Sequence, residues 1–592
     1  MPILTQLLPL LIALFASNAI SANAFLNQIF GECLFADLLK RCDNHLLVKL
    51  ANHLDFGPIE KACASYRHSS GPGTQNFYPV SILARCLLVG YLYDLSLRQL
   101  EQRLHSDLLV RWFVGLPAFG EVPTYSTLER FEQWVSQHQR RIYQDTVLAQ
   151  IDDFFPQSRK LSQIGDTYAM IANAAEEELI TRLRHTTICL LREAVETMST
   201  PLAPTVSDFA WHKLFGAPQE KLGCLLDKKE RHQRIEVVVF AAQELHQRFT
   251  ATLQAYPNQE YPEVRLWVGY LGKIIHDDVT ILAETDAEGH RIHLRTAKER
   301  RDDPETGLRI GSATDPEATY RQHGNEEADI KFGYNTQVAI STDGFIREIQ
   351  AYTGAVSDQS GVAALVAAQV EHLGICPPKM IYDQAAGSGK ARADMEKASN
   401  GQTQLVSRLL PHDKNVERFG PYDFTLSEDG NTLTCPAGKQ SATAYTSGAG
   451  DGRTFRFSAC QCWLNAEPPD RMKDADLAQR CPLWEKCRDN RQGPGAMRQV
   501  FVSDYRDYVL SAKEYNQTEI FQLEMRQRPM VERVIFELTN YNGARYCRRR
   551  GLDNADWQAR MCAISYNLKL WMRKIGRLER VALAKTDPNF LG

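Results

Sequence analysis

The stretch Arg526-Gln-Arg-Pro-Met-Val-Glu-Arg-Val-Ile-Phe-Glu-Leu-Thr539 has the pattern of an amphipathic helix. Pro529 suits the first helical turn, and Gly543 follows as a stop signal. The apolar positions recur at three- and four-residue steps, at Val531, Val534, Ile535 and Leu538. The pattern therefore predicts a helix with one face buried in a core.

The same helix carries polar residues on another face. Arg528 and Glu532 lie four positions apart, and Glu532 and Thr539 lie seven apart, so all three share a face. The helix would thus present a carboxylate beside a cation from a rigid element. Spacing alone favours an ordinary surface ion pair, so the interpretation depends on what lies upstream.

Two aspartates upstream follow short apolar runs. Asp166 follows Leu161–Gly165, and Asp383 follows Lys379–Tyr382 and precedes small residues. We expect a strand to end at each aspartate, which would then face a crevice, although a single aspartate in such a place is more often a turn or cap residue. Three carboxylates from two strands and a helix can hold two divalent cations, which stabilise the attacking and leaving oxygens of a phosphodiester.

These motifs resemble those of DDE-type insertion-sequence transposases over about residues 28–575. The first family motif matches Asp166-Thr167 and Ala172-Asn173-Ala174, and the second matches Ile381–Gly387 loosely. The third is a Tyr-Arg-Glu-Lys signature helix with an Arg-x3-Glu-x6-Lys core, which places Arg528 and Glu532. The resemblance implies that Asp166, Asp383 and Glu532 are catalytic and bind two Mg²⁺ or Mn²⁺ ions.

Two positions of the signature depart from the family. Thr539 stands where lysine is expected, and Met525 stands where tyrosine is expected. Both family residues are thought to hold DNA near the cleavage site, so other residues must fill these roles or the roles are lost. The resemblance still assigns DNA contacts to Arg528 and to the Thr539 position.

The resemblance implies an α/β fold, with a ribonuclease-H-like core of mixed sheet, an all-α N-terminal domain and insertions, one of which bears cysteines. We expect five segments: a signal-like or dispensable segment 1–24, a helical DNA-binding domain 25–150, the first part of the core 155–410 with a helical insertion 175–300, a Cys-bearing insertion 411–505, and the core's C-terminal helix with a basic tail 506–592. The hairpin Gly333–Tyr352, a helix from Val362 to Leu373 and the strand before Asp383 suit that order.

The implied function is transposition of an insertion sequence, in which DNA is cut and joined by metal-dependent transesterification. The alternatives are a transposase relic that binds DNA without cutting it, and a metal-dependent nuclease of the same fold. The implied partners are double-stranded DNA, as terminal inverted repeats and target, and a second copy in a homodimer when two ends are synapsed. No membrane partner is expected, and the expected location is the cytoplasm, in association with the nucleoid.

Composition alone does not indicate a nucleic-acid-binding protein. The chain has 592 residues, 44% of them hydrophobic, and a formal net charge of −4. Between Arg526 and Arg580, however, 13 Lys and Arg face 5 Asp and Glu. The densest basic run, Arg548, Arg549 and Arg550, is therefore a predicted phosphate contact, with a merely solvated basic helix as the alternative.

The N-terminal part raises two further interpretations. Leu7–Ala16 has the length of a signal-peptide core, but no Lys or Arg precedes it, so we favour an overextended start or a dispensable helix. Farther on, a helix beginning near Pro123 carries polar residues at its start, namely Thr124, Ser126 and Arg130. These side chains are predicted DNA contacts, with a plain capped helix in a bundle as the alternative.

Five of the 14 cysteines cluster between the second aspartate and the signature helix. They are Cys435, Cys460, Cys462, Cys481 and Cys487. Four of them, Cys435, Cys460, Cys481 and Cys487, are candidate Zn²⁺ ligands, with free thiols an equally weighted alternative and disulfides a lesser one.

Overall fold

The computed structural model describes most of the chain. The described residues are 22–68, 78–217, 225–303, 308–322, 330–410, 418–446, 450–464, 467–468, 480–488, 493 and 495–586. The signal-like run therefore lies outside the described residues. Within them, no single helix is long and apolar enough to cross a membrane. One pair of helices bent by 107°, Val80–Leu92 and Leu97–Ser106, passes that test of length and composition only together.

The N-terminal region is helical throughout its described residues. Its helices are α1 (Ala22–Arg41), α2 (Leu46–His53), α3 (Gly57–Ala62), α4 (Val80–Leu92), α5 (Leu97–Ser106), α6 (Leu108–Val114), α7 (Tyr125–His138) and α8 (Ile142–Phe154). The nearly continuous apolar run of α4 is buried, because neighbouring helices surround it on all sides. The predicted start of α7 is confirmed, since the Thr124 side chain caps it by accepting a hydrogen bond from the Thr127 N–H.

A six-stranded mixed sheet follows. Its strands are β1 (Gln163–Ile171), β4 (Thr319–Gln322), β5 (Ile330–Ser341), β6 (Ile346–Thr353), β7 (Lys379–Ile381) and β8 (Gln404–Val406), and the two-stranded ribbon β2 (Val279–Ile281) and β3 (Ile292–Leu294) lies apart from them. The sheet order is β4-β5-β1-β7-β8, with β6 also paired to β5. Strand β5 is antiparallel to β1, β4 and β6, whereas β7 is parallel to both β1 and β8. The predicted hairpin is thus confirmed as β5 and β6.

Helices cover the sheet and connect it to the N-terminal region. Those around the core are α15 (Val362–Leu373), α16 (Gly389–Ala398), α19 (Arg506–Tyr515), α20 (Glu519–Met525), α21 (Pro529–Tyr541) and α22 (Leu552–Thr586). The predicted signature helix is confirmed as α21, with Val531, Val534 and Leu538 buried. The long helix α22 contacts β6 on one side and helices of the N-terminal region on the other. One hydrophobic core therefore runs continuously from the N-terminal helices into the sheet.

Buried ion pairs accompany this shared core. Arg347 of β6 makes two contacts with the carboxylate of Asp152 in α8, at 2.7 and 2.8 Å. Glu348 accepts from Arg141 and from Arg560, each at 2.8 Å. All of these carboxylates are at least nine-tenths buried, so each charge is compensated where water cannot reach it.

Two insertions interrupt the core. The first lies between β1 and β4 and contains α9 (Leu179–Thr197), α10 (Ser199–Val206), α11 (Trp211–Phe215), α12 (Lys228–Leu253), α13 (Pro262–Asp278) and α14 (Ala297–Asp302). It has its own core, formed largely by α9 to α13. The second bears the cysteines and contains β9 (Thr425–Leu426), β10 (Leu433–Thr434), β11 (Thr443–Thr446), β12 (Gly452–Phe457), α17 (Ala459–Cys462), α18 (Trp484–Cys487) and β13 (Arg498–Ser503). Its main hydrophobic cluster is small, with six buried apolar residues in the part of the insertion that is described.

The expectation that a strand ends at Asp166 is wrong. Strand β1 continues to Ile171, because it stays paired with β5 as far as Gly333. What ends near Asp166 is the pairing on the other side of β1. The last residues paired between β1 and β7 are Ile164 and Ile381. The crevice is therefore made by the departure of β7, and β1 itself runs past it.

Gly165 is expected to be intolerant of any side chain. A Cβ at this position would lie 2.7 Å from the ring of Tyr382, which is fully buried. We predict that Gly165→Ala lowers the free energy of unfolding by about 1 to 3 kcal/mol, because the ring must move within a packed core. Urea denaturation measures this difference.

The matched control is Gly269→Ala in α13, where a Cβ meets nothing within 4 Å. It should leave stability unchanged or raise it by about 0.4 to 1 kcal/mol, because alanine restricts the unfolded chain. Equal stability of the two variants would contradict the proposed clash at Gly165.

Candidate active site

Asp166 and Asp383 occupy equivalent positions on neighbouring parallel strands. The last paired residues of β1 and β7 are Ile164 and Ile381. Asp166 lies two residues after Ile164, and Asp383 lies two residues after Ile381. Residues at the same level of adjacent strands are separated by roughly 5 Å. The strand register thus brings the two aspartates to the same place in the crevice.

Helix α21 supplies the third carboxylate. It packs on β1 through the apolar face that the sequence predicted, and this packing holds its first turn beside the crevice. Glu532 lies in that first turn, and Arg528 occupies the N-cap position before it. The polar face of the helix is therefore turned toward the two aspartates.

The guanidinium of Arg528 contacts all three carboxylates. Its Nη1 donates to Glu532 at 2.5 Å, and its Nη2 lies 3.1 Å from Asp166 Oδ2 and 3.9 Å from Asp383 Oδ2. Both aspartate oxygens lie near the same Nη2 atom, so the distance between them cannot exceed the total of 3.1 and 3.9 Å, which is about 7 Å. The three predicted catalytic residues are thus brought together, and the predicted surface ion pair is part of a larger cluster.

Burial and charge oppose each other at Asp166. Desolvation raises the pKa of its carboxyl above the ordinary value, and the negative charges of Asp383 and Glu532 raise this pKa further. The Thr167 N–H, 2.8 Å from Oδ1, and the Arg528 guanidinium lower the same pKa. Arg528 and the Thr167 N–H therefore favour the ionised form of Asp166, which burial disfavours.

The donor set fits divalent cations that prefer oxygen. Three carboxylates offer several oxygen atoms, and oxygen is the preferred ligand of Mg²⁺ and Mn²⁺. Their oxygens do not all lie within 4.8 Å of one another, since no such set is found among them. Arg528, a monovalent cation, stands between them in this structure.

Further polar residues link Thr167, the neighbour of Asp166, to the rest of the sheet; the sequence indicated Asn335 as a possible support of the site but favoured its solvation, and Arg321 was missed. Arg321 donates to the Thr167 hydroxyl at 2.7 Å and lies 3.6 Å from Asp358. Asn335 donates to Asp358 at 2.8 Å and is fully buried. Asp358 thus links the loop before α15 to the sheet rather than capping that helix, whose cap is Gly361. Only alternation along β5 hinted at Asn335, and nothing local singled out Arg321.

Two of the three arginines in the basic run have intramolecular partners. Arg548 donates to Asp94 at 2.7 Å, and Arg549 lies 2.8 Å from Glu132. Both acidic partners belong to the N-terminal region, so these arginines join that region to the core. Their charge is partly compensated within the chain, and their role as phosphate contacts stays a prediction. Arg550 is exposed and donates to the Asn173 carbonyl.

The other predicted DNA contacts differ in their surroundings. Thr539 donates its hydroxyl to the Ile535 carbonyl at 2.9 Å within α21, and Met525 packs partly buried against the core. Neither offers the charge or the reach of the family residue it replaces. The side chains at the start of α7, Thr124, Ser126 and Arg130, are exposed.

Four cysteines of the second insertion line one cavity, and they differ from the predicted set at one position. Cys435, Cys481 and Cys487 line a common cavity, and the fourth cysteine there is Cys462. Cys460, which the sequence interpretation included, is exposed and points away from that set. The reason is that both lie on the short helix α17, where residues two apart face different directions.

Two models of known families match the chain. The Transposase domain (DUF772) matches residues 36–134, which span most of the N-terminal helices. The Transposase DDE domain matches residues 470–571, which include α21 and Glu532 but neither aspartate. The two matches support a DDE-type insertion-sequence transposase. Searches of the curated proteins and of the solved structures found no match.

The matched domains support a DNA transposase function for this chain. Transposases act on DNA, and a DDE transposase is a DNA-cutting enzyme that generally uses divalent metals. The DDE-domain match contains the helix whose Arg528 contacts the three carboxylates. The matched segment therefore supplies Arg528 and Glu532 to the acidic cluster, whereas both aspartates come from outside it.

Arg528→Gln should destabilise the transposase in a pH-dependent way. Because the folded pKa of Asp166 is raised, ionising this carboxyl costs native stability as the pH rises above its ordinary pKa of 3.8, and Arg528 offsets that cost. We predict a loss of about 1 kcal/mol near neutral pH that shrinks toward acidic pH. Denaturation at several pH values measures it.

The control is Arg526→Gln, an exposed arginine two residues earlier. It should change stability little at any pH. Added Mg²⁺ should restore more stability to Arg528→Gln than to the control, and equal effects in both variants would contradict the role of Arg528.

Proposed function

We propose that this transposase cuts and joins DNA at a site formed by Asp166, Asp383 and Glu532. The observation that carries the proposal is their convergence on one guanidinium, from segments 362 residues apart in the chain. A surface ion pair requires only Arg528 and Glu532. The addition of two aspartates from adjacent parallel strands is the arrangement needed for phosphodiester chemistry.

The sheet supports a ribonuclease-H-like core. Three antiparallel strands, β1, β5 and β6, are followed by two strands parallel to β1, and β1 lies in the centre. The first aspartate is on the central strand and the second follows its parallel neighbour. In this topology both acidic residues lie where β1 and β7 separate, and a crevice would open there.

The carboxylates would hold divalent cations, for which Mg²⁺ or Mn²⁺ is our proposal. When bound, two such ions lower the pKa of an attacking water or 3′-hydroxyl and stabilise charge on the phosphodiester. Asp166 binds a cation only in its ionised form, and the Thr167 N–H stabilises that form. Asp383 is fixed by accepting from the Ala385 N–H at 3.0 Å, so both aspartates have set orientations.

Arg528 would serve two states of the enzyme. Its single charge partly offsets the negative charge of the carboxylates in this structure, where its side chain is about one quarter exposed. A guanidinium binds phosphate as well as it binds carboxylate, through the same planar set of donors. We propose that Arg528 contacts a DNA phosphate at the crevice once the carboxylates are engaged in cation binding.

Other contacts with double-stranded DNA would come from both ends of the described chain. Thr124, Ser126 and Arg130 at the start of α7 and the exposed Arg550 are the proposed residues. Recognition of terminal inverted repeats by the N-terminal helices, a homodimer that synapses two ends, and action at the nucleoid complete the proposal. The first of these is supported by the position of the N-terminal match.

Removal of any one carboxylate should abolish cleavage. We expect Asp166→Asn, Asp383→Asn and Glu532→Gln each to lower cleavage by about 100- to 1,000-fold or more, because each removes a charge that acts in the transition state. The substrate is DNA that carries the sequences flanking this gene, with Mg²⁺ or Mn²⁺. DNA binding, measured by gel shift in chelator, should persist.

Glu537→Gln is the matched control, since Glu537 lies on the same helix but pairs with Arg533 at 3.5 Å. It should cleave like the unmodified chain. Pre-cut ends with a free 3′-hydroxyl and a target plasmid then test joining. Binding without any cleavage would indicate a relic, and cleavage without joining would indicate a nuclease, and either result would overturn the proposal.

Cation binding should weaken at acidic pH. Because the pKa of Asp166 is raised, protons compete with the cation at a higher pH than for an ordinary aspartate. We predict that Mn²⁺ affinity, measured by calorimetry, falls by about tenfold per pH unit once the pH is below that pKa. Asp166→Asn removes the titrating group, so its residual affinity should depend less on pH. The same pH dependence in both would contradict the assignment.

A further inference from the structure

We propose that the Cys-bearing insertion holds a structural zinc ion. The four ligands are Cys435, Cys462, Cys481 and Cys487. They come from three separate parts of the insertion, namely the turn after β10, the end of α17, and the segment leading into and through α18. All four line one cavity of about 30 Å³, which holds an ion or a water but no organic ligand.

Backbone structure around the thiols suits metal binding. The turn after Cys435 closes when Cys435 accepts at its carbonyl from Gly438, and the Lys439 N–H then donates to the Cys435 sulfur at 3.3 Å. Such a hydrogen bond favours a thiolate over a thiol. Cys481 donates its N–H to the Cys462 carbonyl at 2.9 Å, which fixes these two cysteines side by side.

The decisive observation is a buried arginine that has no carboxylate partner among the described residues. Arg488 follows Cys487 directly, is 2% exposed and lines the same cavity. Its Nη2 donates to the Ala496 carbonyl and its guanidinium lies 4.6 Å from the centre of the Trp484 ring, whereas its Nε and Nη1 are buried and have no hydrogen-bond partner in the described part of the chain. Arg498 also lines the cavity, with its Nε likewise buried and without a partner. A buried cation beside neutral thiols would be strongly destabilising.

Zinc resolves this imbalance of charge. Four thiolates around one Zn²⁺ carry a net charge of −2, which the two arginines would compensate. A disulfide or a set of free thiols carries no charge and would leave both guanidinium groups without a counter-ion. Tetrahedral sites of four cysteines are typical of structural zinc.

The insertion needs such a site for its stability. Among its described residues, one small apolar cluster consists of Phe424, Leu433, Phe455, Phe457, Val500 and Val502, and Trp463 and Trp484 are buried next to each other outside that cluster. A core of this size supports a small fold only weakly, and a metal ion is a common supplement. No three of the four sulfurs lie within 4.8 Å of one another here, so we expect the turns to close inward when the ion binds.

The test is the metal content of the purified full-length chain. We expect about one zinc ion per chain by mass spectrometry of the metal. Replacement by Co²⁺ should give the intense thiolate-to-cobalt absorption of a sulfur site. A chain without zinc that also takes up cobalt without this absorption overturns the proposal. Neither measurement requires a variant to fold.

Two serine variants on α17 provide a matched pair. Cys462→Ser should lose the zinc, whereas Cys460→Ser, two residues away and exposed, should keep it. Arg488→Gln should weaken zinc binding by about 10- to 100-fold, as removal of outer partners does. Equal zinc retention in the two serine variants contradicts the ligand set.

The cobalt absorption separates this site from two others. His232, Glu236 and His290 in the first insertion lie within ligand distance of a common point, but they contain no sulfur. The proposed catalytic carboxylates contain none either, so Asp383→Asn should retain zinc and the absorption. Zinc without DNA cleavage would therefore leave this inference standing while the proposed function failed, and the reverse result would do the opposite.

Discussion

Repulsion among three carboxylates is the constraint that the structure must satisfy at its crevice. The strand register and the packing of α21 hold Asp166, Asp383 and Glu532 near one another, and the guanidinium of Arg528 lies between them. Packing elsewhere has to supply the free energy for this arrangement. It does so through a continuous core and through buried ion pairs such as Arg347 with Asp152. An acidic site of this kind is stable only on a scaffold that is rigid on three sides.

Features with a local cause could be predicted from the sequence. Helix α21 was predictable because its apolar period, its first-turn proline and the glycine after it all act within about 15 residues. The hairpin of β5 and β6 was predictable for the same reason, since a tight turn joins two alternating strands. The three candidate catalytic residues came from motif resemblance, and their convergence needed the fold.

Features decided by tertiary contacts could not be predicted in this way. The length of β1 depends on pairing with β5, and the crevice depends on where β7 leaves, so a strand end at Asp166 was the wrong expectation. Arg548 and Arg549 belong to a predicted DNA-binding run, and acidic partners more than 400 residues away partly compensate their charge. The choice between Cys460 and Cys462 depends on which side of α17 faces the cavity.

Helix α22 gives the N-terminal region a core that it cannot complete alone. Trp557 donates to Glu132 across 425 residues of chain, and Ser565 donates to the Tyr91 carbonyl across 474. During synthesis, the N-terminal helices therefore leave the ribosome long before the helix that covers them. Until α22 arrives, their apolar surface stays open to chaperones and to aggregation. Assembly of the three-carboxylate site and closure of the N-terminal core thus finish together, so a partial chain would lack both.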